Sequence, residues 1–211
     1  MDEKDLSVLY RPLDRTARII QPLLIIPLLL SFLAPLWRVS MKAPQYPGGL
    51  YIDIYSYKLE GGNDGQDINE INELNHYIGM QRIERSAFAD LDWMPFALGI
   101  LALLALRVAA IGNLSSLIDL AVLSLYVSAF AMGRFVYRLY VFGHNLDAHA
   151  AVKIQPFTPV VLGTKQVANF TTSAMPQLGS LLFGLFVIGL MVLTARQFFV
   201  ARRRTPVVRQ N

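Results

Sequence analysis

Apolar residues fall along this chain in four long runs, separated by stretches where polar and apolar positions alternate or cluster. The runs cover 18–37, 93–112, 116–141 and 179–200. Each reaches the ~20 residues that a helix needs to cross a hydrocarbon layer about 30 Å thick, so the pattern predicts four transmembrane helices. The first run, ARIIQPLLIIPLLLSFLAPLW, follows a charged leader, residues 1–17, and carries no small-x-small cleavage site. It reads as an uncleaved anchor rather than a signal peptide. Pro27 and Pro35 are expected to kink it, which neighbouring helices make tolerable by satisfying the freed carbonyls. The remaining segments are a loop at 38–92, a short turn at 113–115, a second loop at 142–178 and a tail at 201–211.

Inside the first loop the period changes. MKAPQYPGGL reads as an extended exit from the membrane, because a residue that precedes proline is pushed away from helix. LYIDIYSYKL has strand character and GGNDGQD is a turn cluster, so a short strand or hairpin is expected there. DINEINELNHYIG then reads as a helix with Asp67 as its cap, Glu70 at the capping-box spacing and Gly79 at its end. Ile68, Ile71, Leu74, Asn75 and Ile78 recur at helical spacing and form a face that packs on the strand or on the membrane helices. The expected fold class is an all-α membrane protein: four transmembrane helices with two structured extracytoplasmic loops, the first holding a short strand or hairpin plus a short helix.

Composition agrees with the pattern. Of 211 residues only 16% are charged, against about 25% in soluble domains, and the mean hydropathy is +0.42. Intrinsic disorder is thereby excluded. The basic excess, a net +4, sits mostly at the two ends rather than on a folded polar face, which argues against a nucleic-acid partner and for the lipid bilayer as the surface contacted. Lys4, Arg11, Arg15 and Arg18 precede the first run, and Arg196, Arg202, Arg203, Arg204 and Arg209 close the last. The loop at 38–92 holds nine acidic residues against five basic ones. Positive charge favours the cytoplasmic side, so both termini are expected in the cytoplasm of a bacterial cell, the chain in its inner membrane, and both long loops in the periplasm. There are no cysteines, which excludes disulfides, thiolate metal sites, cysteine nucleophiles and a lipoprotein anchor.

The residues that carry chemistry then fall on one side of the membrane. All three histidines, His76, His144 and His149, lie in the two long loops, and Met41 and Met80 lie in the first. Asn69, Glu73 and His76 share one helix face with Met80 a turn beyond, and Asp147 stands between His144 and His149. Imidazole suits copper and thioether favours its reduced form, so Met41, His76, Met80, His144, Asp147 and His149 are the candidate copper ligands. The competing reading is structural, with Met80 packed against its helix and His76 bonded to its surroundings. No Ser-His-Asp order, phosphate-binding loop, dinucleotide fingerprint or HExxH pattern occurs, so no catalytic role is assigned. Asn169-Phe-Thr171 matches a glycosylation acceptor, a pattern too short to carry weight. Arg134 and Arg138, one helical turn apart near the end of the third run, need negative partners, with Asp147, Asp92, Glu84 or lipid phosphate as the options.

Four phrases are specific enough to carry a resemblance: APQYP at 43–47, INELNHYIGM at 71–80, and GHNLD at 143–147 followed by LGTKQVANFT at 162–171. In their order, over roughly residues 20–195, the chain resembles a family of small bacterial four-span membrane proteins. That family is associated with gene clusters for nitrous-oxide reductase and its copper-delivery lipoprotein. The resemblance implies an accessory role on the outer face of the inner membrane, either handling copper for a periplasmic or membrane copper enzyme or assisting its assembly. The alternative is a structural or docking subunit of a larger respiratory or oxidase complex, with a protein partner seated on the outer loops and no metal of its own.

Overall fold

The computed structural model describes residues 9–167 and 170–203. Lys4, Asn169, Arg204 and Arg209 lie outside the described residues. Four stretches are helical, long and apolar enough to cross a membrane: Arg15–Leu33, Asp90–Ile111, Leu114–His144 and Leu178–Arg202. They match the four runs, with one difference in the first. That segment is α1 (Arg15–Leu23), α2 (Ile25–Leu30) and a 3-10 turn (Ser31–Leu33) in succession, and the chain is already a strand at Trp37. Pro27 accounts for the break after Leu23, because its ring crowds the carbonyl four residues earlier. Pro35 does not kink a helix: it lies beyond the last helical residue, between the 3-10 turn and the strand.

The chain divides into two compact units, the first made of Met1–Leu30, Ala97–Ser128 and Leu182–Asn211. In it lie α1, α2, most of α4 (Asp90–Ile111), the first half of α5 (Leu114–His144) and most of α6 (Leu178–Arg203). Leu28, Leu101, Leu117, Phe186 and Leu190 are buried, whereas Leu103, Leu106, Ile188 and Val192 are exposed. A helix apolar on both faces is what a lipid solvent permits. Two buried polar side chains of this unit donate to backbone: Gln21 to the Ala105 carbonyl at 2.7 Å, and Ser124 to the Leu120 carbonyl at 2.7 Å. Asp14 caps α1 by accepting the Ala17 N–H at 2.8 Å and pairs with Arg196 at 2.9 Å. It also accepts from Gln197. Partial burial works against the Asp14 carboxylate, yet these donors hold its pKa below the ordinary value.

The second unit, Ser31–Phe96 and Ala129–Leu181, corrects the all-α expectation. It holds a five-stranded antiparallel sheet in the order β3-β2-β1-β5-β4. The strands are β1 (Trp37–Ala43), β2 (Tyr46–Ile54), β3 (Leu59–Gly61), β4 (Gly163–Val167) and β5 (Phe170–Pro176). MKAPQYP, expected as a simple exit, is the β1–β2 hairpin, with Ala43 opposite Tyr46 and an irregularity between Met41 and Ala43. LGTKQV and FTTSAMP of the second loop form the other hairpin. β1 pairs with β5 from Trp37 opposite Pro176 to Lys42 opposite Thr171, so the two loops complete one sheet. Ser40 and Ser173 face each other there with hydroxyls 2.7 Å apart.

One helix, α3 (Gln66–Tyr77), lies on this sheet, with Ile71 against Leu50 and Ile52, flanked by Ile68 and Leu74. Its apolar stripe is the one the spacing predicts. Its start is not: Gly65, at φ +90°, occupies the cap position. Asp67 is instead buried in the first turn, accepting the Tyr51 N–H at 2.9 Å and the Asn63 amide at 2.7 Å. Glu70 accepts from the Tyr46 hydroxyl rather than closing a capping box. The carboxylate that looked like a local cap is therefore a long-range tie to β2. Across the first hairpin Arg38 grips Asp53 with two hydrogen bonds of 2.7 and 2.6 Å, which raise the guanidinium pKa further.

Candidate functional site

Between the α3-bearing sheet and the last turns of α5 the second unit holds a half-open cavity of about 230 Å³. Sheet residues Met41 and Ile52, Leu74 of α3, Met80 just after that helix, and α5 residues Phe135 and Phe142 are part of its wall. Phe157 and Pro159 close it from the second loop. Its position depends on one close approach. Phe157 donates its N–H to the Gly143 carbonyl at 3.0 Å, and a Cβ on Gly143 would stand 1.7 Å from the Phe157 carbonyl oxygen. Glycine at 143 thus lets the second loop lie on the helix end and roof the cavity.

The lining is aliphatic and aromatic except for Ser40, Asn75, Thr172 and one charged residue, Arg138. Arg138 Nε is buried and has no hydrogen-bond partner among the described residues, although the guanidinium carbon stands 5.9 Å from the centre of the Phe88 ring. Its neighbour one turn back is settled differently: Arg134 holds Asp90 with bonds of 2.8 and 3.2 Å. The three carboxylates expected as partners have other neighbours. Asp92 pairs with Arg85 at 2.7 Å, Asp147 lies beside His149 at 3.3 Å, and Glu84 accepts from Ser86 at 2.7 Å. Asp90 wins because it opens α4, close to the end of the neighbouring membrane helix. Trp37 Nε1 is a second buried donor without a partner among the described residues, and its ring centre lies 5.3 Å from that of Phe135.

The six candidate copper ligands divide into four groups, of which His76 is one by itself, exposed in the last turn of α3 with its ring centre 6.4 Å from that of Tyr77. Met41 and Met80 are half-buried and line the cavity, where no histidine joins them. His144 stacks on Tyr140 at 3.9 Å, with Nδ1 3.0 Å from the Tyr140 carbonyl. Asp147 and His149 form a small exposed turn: the His149 N–H donates to Asp147 Oδ1 at 2.8 Å, and the His149 side chain is 95% exposed. That N–H, more than the imidazole, holds the Asp147 pKa below the ordinary carboxylate value, and His76 contributes to the same lowering. The end of α3 and the start of the second loop do meet. Asp147 donates its N–H to the Gly79 carbonyl at 2.8 Å, Val152 donates to the Tyr77 carbonyl at 2.9 Å, and a Cβ on Gly79 would come within 2.9 Å of Asp147 backbone. Among the described residues no three of the types His, Asp and Glu converge on a common point.

Sequence reasoning named Met41, Met80 and Arg138 without foreseeing that one cavity gathers them. The visible signal was Arg138 itself, a charge at the end of an apolar helix with no local partner. No protein-family model matches the chain, and no match is found among curated proteins or solved structures.

Proposed function

We propose that this chain is a multi-pass inner-membrane accessory protein without catalytic activity of its own, whose sheet-bearing unit stands on the periplasmic side and binds a hydrophobic small molecule. The observation that carries this reading is the cavity of about 230 Å³ with its almost wholly apolar wall. An apolar cavity of about 150 Å³ already holds a benzene-sized ligand, and binding sites are typically apolar pockets with a few placed polar groups. The wall is drawn from the sheet, α3, the end of α5 and the second loop, so occupancy stabilises the joint between the two loops.

Photolabelling tests it with the full chain in phosphatidylcholine nanodiscs and a long-chain alcohol bearing a diazirine. The expected result is label on the cavity-facing peptides of β1 and α3, lost in Met80→Trp, where the larger side chain occupies the space. Label confined to the membrane helices would overturn the reading.

A second reading is copper handling for an enzyme such as nitrous-oxide reductase, as the family resemblance implies. The observation favouring it is the Gly79–Asp147 junction, which brings the helix end bearing His76 to the turn bearing Asp147 and His149. Metal analysis of the purified chain separates the readings. Stoichiometric copper lost in His76→Ala supports the second. Absence of metal, together with stable co-purification of a membrane complex, supports the docking subunit.

A further inference from the structure

The two spans joined by Gly112 and Asn113 each carry one charged residue on an exposed, otherwise apolar face. Arg107 on α4 is exposed beside Leu103 and Leu106, and Asp119 on α5 is exposed beside Val122 and Leu123. Neither side chain has an ion-pair or hydrogen-bond partner among the described residues.

Helix length fixes their depth. α4 has 22 residues, about 33 Å at ~1.5 Å per residue against ~30 Å of hydrocarbon. It needs almost its whole length to cross, so the Gly112–Asn113 turn sits at the edge of the layer. Arg107, four residues before Ile111, is then about 6 Å inside that edge, and Asp119, five residues after Leu114, about 7.5 Å inside it.

An arginine can bend its long stem back towards water. A carboxylate on a single methylene cannot, and ionised groups within spans ordinarily face protein or water rather than lipid. Tyr126 lies two turns further along the same face of α5, 71% exposed, with no partner for its hydroxyl among the described residues. At about 18 Å from Leu114 it stands near the middle of the layer, whereas tyrosine favours the two interfaces. A protein neighbour on this face removes both costs.

The charges specify a second copy of the chain as that neighbour. Copies inserted the same way share every depth, so a twofold axis along the membrane normal can join only groups at one level. Arg107 and Asp119 meet that condition and are opposite in sign, which makes the surface self-complementary, with each contact made twice. Arg18 is no substitute for Arg107, because its Nε lies at the turn itself, 3.3 Å from where a Cβ on Gly112 would stand. We infer that the chain forms a twofold dimer through the exposed faces of α4 and α5, with Arg107 of each copy paired to Asp119 of the other.

The test uses the full chain in phosphatidylcholine vesicles, with donor or acceptor fluorophores fused after Asn211 and the protein diluted stepwise with lipid. Parent chains should show energy transfer that unlabelled parent competes away. Arg107→Glu and Asp119→Lys each set like charges opposite one another at both contacts. Each alone should associate at least about tenfold more weakly than the parent, a decade in the dissociation constant. Mixing donor-labelled Arg107→Glu with acceptor-labelled Asp119→Lys places opposite charges at both contacts again, so transfer should return. A pair formed within one chain gains nothing from mixing, and absence of recovery overturns the inference. A parent without transfer overturns it too, as does a single variant that associates like the parent. Should the reversals not fold, Arg107→Gln and Asp119→Asn pose the same question without repulsion. Their mixture keeps one native contact and should associate more tightly than either variant alone; a mixture no tighter than the single variants overturns the inference.

Discussion

At Gly143 a single hydrogen decides whether the second loop can reach its seat. A methyl there would meet a backbone carbonyl oxygen at 1.7 Å, and neither the helix end nor the loop can give way without breaking the Phe157–Gly143 hydrogen bond. Gly143→Ala should therefore destabilise the chain by about 2 kcal/mol or more, in line with other forced overpackings. Gly99→Ala, on a helix position with nothing within 4 Å of the new methyl, should be neutral or slightly stabilising. Thermal melts of the two variants in the same detergent check the contrast, and equal melting points would contradict the close approach. Asp147 gives the residue-scale pH dependence. Because its folded pKa is lowered, chiefly by the His149 N–H, the stability it adds is present above the ordinary carboxylate range and is lost as pH falls through the lowered value. Exchange protection of the His149 amide should fall over that acidic window in the parent and show no such step in Asp147→Asn. Protection independent of pH in the parent would rule the carboxylate out as its acceptor.

Among the elements, legibility followed the range of the forces involved. A membrane helix declares itself in about 20 consecutive residues, and all four spans were visible in the sequence. The stripe Ile68, Ile71, Leu74 was equally local, and it packs on the sheet as its spacing requires. β1 and β5 carried no such signal. Trp37 and the apolar residues before it extend the first hydrophobic run into β1, and FTTSAMP alternates too weakly, through Thr171, Thr172 and Ser173, to mark a strand. Their pairing joins positions such as Ser40 and Ser173, whose separation of 133 residues leaves no trace in either segment alone. Asp67 misled for the related reason that a carboxylate before an apolar run resembles a cap whether its donors are near or far; its acceptor work goes to Tyr51 and Asn63. The cavity was illegible because its wall comes from four distant parts of the chain, although Met41, Met80 and Arg138 had each been singled out. The register is directly testable, since the chain has no cysteine of its own. Ser40→Cys with Ser173→Cys should form a disulfide on mild oxidation, because the two hydroxyls already stand 2.7 Å apart. Ser40→Cys with Thr172→Cys, one residue out of register and facing the opposite side of the sheet, should not. Cross-linking of the second pair in preference to the first would mean that β1 and β5 are paired in a different register.

For the whole molecule, the sheet constrains topology more tightly than hydropathy does. β1 follows the first span and β5 precedes the last, and their pairing in one sheet requires the two loops to share one side of the bilayer. Two spans, Asp90–Ile111 and Leu114–His144, separate the loops, and an even number of crossings returns the chain to the same side. Pairing leaves open which side that is, and charge supplies the choice. Arginines flank the ends of the first and last spans nearest the chain termini, whereas the loop at 38–92 carries nine acidic residues against five basic ones, so the positive-inside bias predicts an outward-facing sheet. Reporter fusions after Asn63 and after Lys165 should therefore both report the periplasm, and fusions after Asn113 and after Asn211 the cytoplasm. The two classes of result bear on different premises. A cytoplasmic signal at both Asn63 and Lys165 would invert the molecule yet leave the sheet and its cavity intact, since both loops would still lie together. Opposite signals at Asn63 and Lys165 would separate the loops across the membrane, and the β1–β5 pairing, with the cavity it helps to wall, would fall with them.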